Sequence, residues 1–371
     1  MRALLFETRT GEPIVDLERT AWSCDVGILA PDKLGVTVPA YTPRASTMDL
    51  KGLLTPFKHS VALIDESVDG ARVVRAAGPI VAPPTAADDD GNNAYKVTCY
   101  GPERFFEYRH VRKYPGWPLI GGDGKPTGTY DMSLSGLEYG TIMKRLVSES
   151  MLWPGGELPL VLEADRAGSR VRNYEAVDGK PVIDALDDIA DNEVGVEYAF
   201  VPEIDDADNI TWRFVTGTDA EQIISAGDYL WNIGGPHPDV RGFQRTPELS
   251  GLATETVFTG GKSSDQVLMA RATSSELVDA GWPRLERWDS SHSTVSELPT
   301  LQGWANARLG SVVDRISFEV RADQAHTVRP GDMVTLDALG HWDLPDGPHE
   351  GRVLSLAWNS SSTDWVEVQL V

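Results

Sequence analysis

The chain has 371 residues and a formal net charge of −23, the balance of 33 basic and 56 acidic residues. This length is sufficient for two or more domains, and a hydrophobic content of 41% can supply their cores. The acidic balance argues against a function in which clustered lysine and arginine bind nucleic-acid phosphates. No run approaches the roughly 18 apolar residues of a membrane span, and the first residues lack the apolar segment of a signal peptide. We therefore expect a soluble protein that matures in a reducing cytoplasm without membrane insertion.

The N-terminal part of the chain has the pattern of β-structure. Residues 21–28 and 95–100 alternate between the two faces of a strand, and 60–65 form a further strand followed by a hairpin-length turn. Period-two alternation between clusters of Gly, Pro, Asn and Asp is typical of strands and hairpins. Cys24 and Cys99 fall within these strands. The sequence leaves a disulfide between them open, and we expect buried free thiols.

A link rich in Gly and Pro, residues 114–128, predicts a boundary after this first β-region. Beyond the link, apolar residues recur at helical spacing over 135–151 and 182–191, which predicts two helices. Residues 197–202 and 210–215 predict a pair of strands joined by an acidic tip. Two helices followed by a hairpin indicate an α+β unit.

The C-terminal third returns to β-structure. Residues 257–261 and 267–272 predict a strand pair, and 298–309 predict a helix that leads into the last region. Residues 315–371 hold about four alternating stretches separated by turns, among them the Pro-Gly-Asp turn at 330–332. Pro fixes one turn position, and Gly permits the positive φ that another can require. Four short strands so close together predict a small antiparallel barrel.

These elements together predict an α+β chain that is mainly β, with two small antiparallel β-barrel domains flanking an inserted α+β region. The expected segments are an N-terminal β-barrel domain at 1–115, an inserted α+β domain at 129–220, a mixed connecting region at 221–300, and a C-terminal helix with a β-barrel at 301–371. The C-terminal barrel is where we expect the chain to assemble with copies of itself, because flat strand edges pair readily.

No pattern in the sequence predicts a catalytic, cofactor-binding or metal site. The seven histidines are scattered, and no pair has the i, i+4 spacing of a zinc-protease helix. The acidic loop at 88–93 lacks the closing Glu of a calcium loop. Residues 261–263 read Gly-Lys-Ser, but Thr256 stands where a phosphate-binding loop requires its first Gly. We therefore expect a protein that is not an enzyme and has no cofactor.

One enzymatic alternative stays open at this point. Carboxylates are abundant, and spacing alone permits the paired acids of a glycosidase. Glu157, Glu163 and Asp165, near Trp153, are the candidates for a cleft that cleaves sugars. The simpler interpretation of these residues is a solvated face of the protein.

The 11 tryptophans can serve core packing or contacts with partners. Those in predicted strands are expected in the core, whereas those in loops rich in Gly and Pro are expected at partner contacts. Trp365 belongs to the terminal strands, which we expect to meet a neighbouring subunit. The interface candidates are Trp117, Trp153, Trp231, Trp282, Trp342 and Trp365.

Several stretches, by their order and spacing, carry a resemblance that spans nearly the whole chain. They are 95–102 followed by 105–109, 183–190 followed by 196–200, 281–287 followed by the helix at 301–309, and the turn at 328–332 with the terminal strands. In these stretches the sequence resembles the minor tail proteins of actinobacteriophages with long non-contractile tails (siphoviruses), specifically the baseplate or tail-tip hub family.

The resemblance implies a structural virion protein that offers no catalytic residues to carry over. In such hubs two barrel-like domains per subunit build a homotrimer ring of pseudo-sixfold symmetry at the tail tip. The ring adapts the sixfold tail tube, through the distal tail protein, to threefold tail fibres or a spike. The tape measure protein ends near the bore, and DNA passes through the bore on ejection. Assembly would take place in the host cytoplasm.

An acidic chain suits such a bore, because carboxylates repel the phosphates of passing DNA. The candidates for the lumen lining are Asp88, Asp89, Asp90, Asp205, Asp206 and Asp208. Two alternatives from other classes are a tail-associated enzyme that degrades the cell wall and a module that binds host glycans through exposed tryptophans.

Overall fold

The computed structural model describes most of the chain. The described residues are 1–28, 31–66, 72–89, 92–114, 120–127, 130–192, 195–225, 227–249, 251–263, 266–290, 297–310 and 313–371, with the backbone alone described at 87–89, 92 and 262–263.

Strands dominate the described residues. They are β1 (Arg2–Glu7), β2 (Pro13–Asp16), β3 (Ala21–Gly27), β4 (Lys33–Pro39), β5 (His59–Glu66), β6 (Arg72–Pro79), β7 (Thr85–Asp89), β8 (Asn92–Tyr100), β9 (Met132–Leu137), β10 (Leu160–Leu162), β11 (Arg170–Tyr174), β12 (Tyr198–Ile204), β13 (Ile210–Thr216), β14 (Asp228–Gly234), β15 (Val240–Glu248), β16 (Glu255–Ser263), β17 (Gln266–Thr273), β18 (Glu286–Asp289), β19 (Val313–Arg321), β20 (Met333–Leu339), β21 (Gly347–Asn359) and β22 (Ser362–Leu370). The helices are α1 (Leu50–Leu53), α2 (Glu103–Phe106), α3 (Tyr139–Met151), α4 (Val182–Ala190), α5 (Ser275–Asp279) and α6 (Leu298–Ala307).

A ten-stranded sheet unites the two ends of the chain. Its main path runs β15-β19-β22-β21-β3-β4-β8-β7. Off this path, β20 pairs with β21 in antiparallel orientation, and β14 pairs with β20 in parallel orientation. The link between the two ends is the antiparallel pair β3–β21, which sets Cys24 opposite Trp358 and Val26 opposite Leu356. The predicted fold class, a mainly β chain with an inserted α+β region, is confirmed.

A second sheet, in the order β2-β1-β5-β6, is the wall between the two main cores, and we call it the wall sheet. Successive side chains of a strand point to opposite faces, so each strand of this sheet can serve both cores. Ala3, Leu5, Val61, Leu63 and Ala76 enter the core of the ten-stranded sheet. Leu4, Phe6, Ala62, Ile64, Val74 and Ala77 enter the core of the middle region.

The middle region packs α3, α4 and the β12–β13 hairpin against the wall sheet. Trp212 on β13 is fully buried, and its ring centroid lies 5.8 Å from that of Phe6. Its indole Nε1–H donates to the carbonyl oxygen of Ala77 at 3.1 Å, so its single polar group is satisfied inside the core. A third, small core forms where α6 packs Leu301 and Trp304 against β16 and β17.

Most predicted elements appear close to their expected places. α4, α6, the β12–β13 hairpin, the β16–β17 pair and four strands after residue 313 correspond to the predictions. α3 begins at Tyr139 rather than at 135, because the preceding residues form β9 and Gly136 has a φ of +71° that a helix does not accept.

Cys24 and Cys99 are both buried, and burial raises the pKa of each thiol.

The division of the chain into four segments stays a prediction. The ten-stranded sheet takes strands from 1–115, 221–300 and 301–371.

Among the described residues, the helices are all too short or too polar to cross a lipid bilayer.

The packing of Trp212 gives a test of the wall sheet. We expect Trp212→Ala to lower the free energy of unfolding by about 3–5 kcal/mol, because it opens a cavity between two sheets and leaves the Ala77 carbonyl without its donor. Trp342→Ala is the control, since that side chain is 82% exposed and its loss is expected to cost less than about 0.5 kcal/mol. Denaturant unfolding followed by circular dichroism measures both values. Equal losses for the two variants would contradict this account of the core.

Candidate functional site

The described residues hold no group of three or more His, Cys, Asp or Glu side chains that could bind a metal ion. The candidate glycosidase carboxylates are engaged in ion pairs. The pairs are Glu157 with Arg9, Glu163 with Arg166, and Asp165 with Lys144 and Arg145. The Lys144 ammonium lowers the pKa of Asp165, whereas the general acid of a glycosidase requires a raised pKa. This arrangement favours a structural role for these residues.

The tryptophans predicted at interfaces have different environments. Trp117 lies outside the described residues. The predicted loop position of Trp231 is wrong, because Trp231 lies in β14 and is 2% exposed. Its ring packs edge-on against that of Phe318, with 5.7 Å between the ring centroids. Trp342 is 82% exposed, beside His341 at 5.7 Å between ring centroids. Of the two described residues in this group, Trp342 is therefore the better placed to contact a partner.

The other three candidates are half-buried and engaged within the chain. The guanidinium of Arg112 lies 4.1 Å from the ring centroid of Trp153, and that of Arg241 lies 3.9 Å from the ring of Trp365. Such cation–π contacts occupy one face of each ring. Trp282 is half-buried beside α5, where its backbone N–H donates to the carbonyl oxygen of Leu277.

A further exposed surface was missed by the sequence analysis. The sheet β17-β16-β18 packs one face on α6, and its opposite face, which we call the outer face, exposes Val267, Met269 and Trp288 at 52%, 51% and 66%. These residues share one face because Trp288 and Arg271 both pair with Val257 across the sheet. The signal was present in β17, where apolar residues occupy both alternating faces.

Charged residues border this outer face. Glu255 pairs with Arg271 and Arg284, and Arg284 also pairs with Glu286. Apolar residues at the centre with charged residues around them are the usual anatomy of a protein–protein interface. The outer face is thus a candidate assembly surface.

The acidic loops predicted to line a lumen are described only in part. Asp90 and the side chains of Asp88 and Asp89 lie outside the described residues. Asp205, Asp206 and Asp208 form the exposed tip of the β12–β13 hairpin.

Two of these tip carboxylates have local roles. Asp205 accepts hydrogen bonds from the backbone N–H groups of Ala207 at 2.9 Å and Asn209 at 2.8 Å, and the latter lowers the pKa of Asp205. Asp208 has a φ of +67° and pairs with Arg72. Asp and Asn tolerate this left-handed conformation better than most residues, so the acidic composition of the tip also serves the turn.

The turn at 328–332, which we call the junction turn, joins the C-terminal strands to the middle region. Arg352 on β21 donates to both carboxylate oxygens of Glu197 at 2.5 Å. The same guanidinium donates to the carbonyl oxygens of Gly331 at 3.0 Å and Ile224 at 2.8 Å. A bidentate arginine pair fixes geometry as well as charge, so this contact sets the position of the junction turn.

Asp332 fixes the turn from inside. It is 2% exposed and accepts from the backbone N–H groups of Gly227 at 3.0 Å and Arg329 at 2.8 Å. Gly331 has a φ of +97°, and a Cβ there would lie 2.4 Å from the carbonyl oxygen of Ile224. The Pro-Gly-Asp sequence therefore supplies the bend, the close approach and the buried acceptor in consecutive residues.

Two half-buried acidic residues, Asp32 just before β4 and Glu103 at the start of α2, interact through their carboxyl groups. Burial raises the pKa of Glu103 from its usual 4.5 to about 7, and Asp187 on α4 adds to the shift. Burial also raises the pKa of Asp32 well above its usual range, with the Glu103 carboxyl as the second cause. In the described part of the chain, Glu103 Oε2 is buried without a hydrogen-bond partner. The folded state therefore favours the protonated form of this carboxyl group.

Comparison with protein-family models and with curated proteins gives no match. Among solved structures, the tail protein from Neisseria meningitidis MC58 is similar with a TM-score of 0.56 and 14% identity, over 99% of this chain and 95% of that one. The 43 kDa tail protein of prophage MuSo2 from Shewanella oneidensis has a TM-score of 0.57 and 12% identity, over 100% and 98%. The chain therefore has the fold of these two tail proteins along its whole length.

The Glu103 carboxyl predicts a pH dependence of stability. Between about pH 4.5 and about pH 7 the folded state keeps the Glu103 proton that the unfolded chain releases, so the free energy of unfolding falls as the pH rises. Glu103→Gln cannot ionise. We expect the stability of the wild type relative to this variant to fall by about 2–3 kcal/mol between about pH 5 and about pH 8 in denaturant unfolding.

Asp205→Asn is the control of opposite sign. The pKa of Asp205 is lowered in the folded state, so its stabilisation is lost as the pH falls below about 4. Parallel profiles of unfolding free energy against pH for the wild type and Glu103→Gln, between about pH 5 and about pH 8, would disprove the burial of an uncompensated carboxyl group.

Proposed function

We propose that this chain is a structural subunit of a phage-type tail tip and that it works by assembly rather than by catalysis. The observation that supports this most is the correspondence with two tail proteins over 95% and 98% of their own chains. A similarity of that extent covers both β-rich ends and the inserted region together. Fold alone does not define function, so the proposal also depends on the exposed surfaces described above.

The finer proposal is a baseplate or tail-tip hub of a siphovirus that infects actinobacteria. Three copies would form a ring that adapts a sixfold tail tube, through a distal tail protein, to threefold fibres or a spike. A tape measure protein would end near the bore. The resemblance of 328–332 and the terminal strands to this family supports the proposal, and so do the apolar outer face and the exposed Trp342.

DNA would pass through the ring only transiently, without binding. A chain of net charge −23 repels phosphates where its carboxylates face the bore. The exposed tip at Asp205, Asp206 and Asp208 supports a place on the bore for that loop, and we extend the proposal to Asp88, Asp89 and Asp90. The subunit would be made in the host cytoplasm and reside in the virion.

Self-assembly through the outer face gives the first experiment. We expect the wild type to reach three times its chain mass of 40.5 kDa in sedimentation equilibrium. Met269→Asp would place a charge in the apolar centre and weaken association by roughly tenfold or more, which is about 1.4 kcal/mol. Val171→Asp is the matched control, because Val171 on β11 is 52% exposed and lies outside the outer face. Equal association of the two variants would remove the outer face from the interface.

Location and activity are tested separately. An antibody against the chain is expected to label one end of the tail in purified virions, and labelling of the capsid alone would overturn the assignment to a tail tip. The two alternatives predict other results: an enzyme would digest host cell walls in a zymogram, and a glycan-binding module would lose sugar binding in Trp342→Ala. We expect neither digestion nor sugar binding.

A further inference from the structure

A cleft of ≈ 700 Å³ opens where three parts of the chain meet. We call it the junction cleft. It is lined by the start of β6 at 72–75, by β12 at 199–204, and by the junction turn with the two residues before it, at 326–330 and 332. Its volume is in the range of specific binding sites, and nothing described above assigns it a role.

One wall of the junction cleft is the free edge of strand β12. The sheet order is β10-β13-β12, so among the described strands β12 is hydrogen-bonded to β13 alone. Pro202 lies in the middle of β12. Proline cannot donate to a ladder, so it is confined to edge strands and bulges, which agrees with this topology.

The register shows which backbone groups face the cleft side. Trp212 is opposite Pro202 and Ile210 is opposite Ile204 in the antiparallel pair. The N–H of Trp212 donates to Pro159 at 2.9 Å and that of Ile210 donates to Gly11 at 2.9 Å, so both point away from β12. Two residues directly opposite each other in an antiparallel pair either hydrogen-bond to each other or both direct their backbone N–H and C=O groups away from the partner strand. Pro202 and Ile204 therefore direct their backbone polar groups away from β13, towards the free edge.

Phe200 has the same orientation, because side chains and backbone groups alternate along the strand. Within the described residues no backbone hydrogen bond reaches the edge-facing groups of Phe200, Pro202 or Ile204. Successive edge-facing residues are roughly 7 Å apart, and 199–204 span roughly 20 Å. This row offers N–H donors at Phe200 and Ile204 and carbonyl acceptors at all three residues. It therefore matches the backbone of another strand except for the donor missing at Pro202, and such an edge is the site used in strand addition.

Both apolar and charged side chains line the cleft. Val201 on β12 and Ile223 and Pro330 in the loops around it are partly exposed, whereas Val215 and Val328 are already buried. Ile223 is 49% exposed, so its apolar surface is available to an occupant. A segment added as a strand would place alternate side chains against these residues, and their burial would stabilise the complex.

The charges of the cleft select among possible segments. Three of its arginines already have carboxylate partners within the chain: Arg72 pairs with Asp208, Arg75 with Asp65, and Arg213 with Glu203. Arg329 is exposed in the junction turn, and no ion pair to its guanidinium occurs among the described residues. An occupant with a carboxylate near Arg329 would complete the set of pairs at this surface.

We propose that the junction cleft binds an extended polypeptide segment of another protein, added as a strand to the free edge of β12. The segment alternates apolar side chains over about five or six residues and carries an Asp or Glu that pairs with Arg329. A small apolar molecule could fill the volume, but it would leave the row of edge-facing backbone groups unpaired. This docking site does not depend on the trimer or on the tail-tip assignment.

The probe is a displayed library of random twelve-residue peptides, selected on the wild-type protein. Peptides that are enriched are expected to alternate apolar residues around an acidic one. Their synthetic copies are expected to bind Val201→Trp at least tenfold more weakly than the wild type, because the larger ring fills the cleft. Val161→Trp is the matched control, since Val161 lies on β10 of the same sheet, is 48% exposed and does not line the cleft.

Two further changes separate strand addition from other modes of binding. N-methylation of alternate residues of the peptide removes backbone donors in one register, and we expect it to weaken binding at least tenfold. Arg329→Glu is expected to weaken binding at least fivefold, and Arg329→Lys to weaken it less. Circular dichroism of each variant checks that it folds, and Arg329→Glu, on an exposed turn, keeps the test valid if Val201→Trp does not fold.

Three results would each overturn the proposal. One is a selection that enriches no peptide above the background. Another is equal affinity of the selected peptides for Val201→Trp and Val161→Trp, which places them elsewhere on the protein. The third is unchanged binding after N-methylation in either register, which indicates an apolar pocket rather than an added strand.

Discussion

The wall sheet is the constraint on which the two main cores depend. Its strands β1 and β5 are buried on both faces over most of their length, so their centres read as continuous apolar runs rather than alternating ones. Leu4 and Leu5 are adjacent in sequence, yet they enter different cores. A slip of one residue in the pairing of β1 with β5 would exchange the two sets of side chains between the cores. The middle region and the terminal strands are therefore positioned by the same few residues.

The second constraint is polar and lies at the junction turn. Glu197 immediately precedes β12 and Arg352 belongs to the C-terminal strands, and their bidentate pair joins the two regions across 155 positions. Because both side chains are mostly buried, removal of either one would leave an uncompensated charge. The same turn borders the cleft beside β12, so the contact that joins the regions also shapes the docking surface.

Local patterns in the sequence predicted the elements well and their surroundings less well. The alternation after residue 313 and the helical spacing at 182–190 depend only on neighbours in sequence, and both elements are present. Trp231 was misplaced because Gly234 and Gly235 suggested a loop, whereas its strand pairs with β20 about a hundred residues later. Periodicity also does not tell which face of β17 meets a helix, so the exposure of Met269 required the tertiary structure. The buried Glu103 carries no local signal at all.

The pairing of β3 with β21 has a consequence for how the protein is made. Cys24 meets Trp358, so one edge of β3 has no partner until almost the entire chain has left the ribosome, although β4 covers the other edge early. At a synthesis rate of about 5–20 residues per second, the delay is roughly 15–65 s. Throughout that interval β3 offers an open edge to other nascent chains. Production of this polypeptide at high density is therefore exposed to intermolecular mispairing, and a chaperone that shields β3 would raise the yield of correctly folded protein.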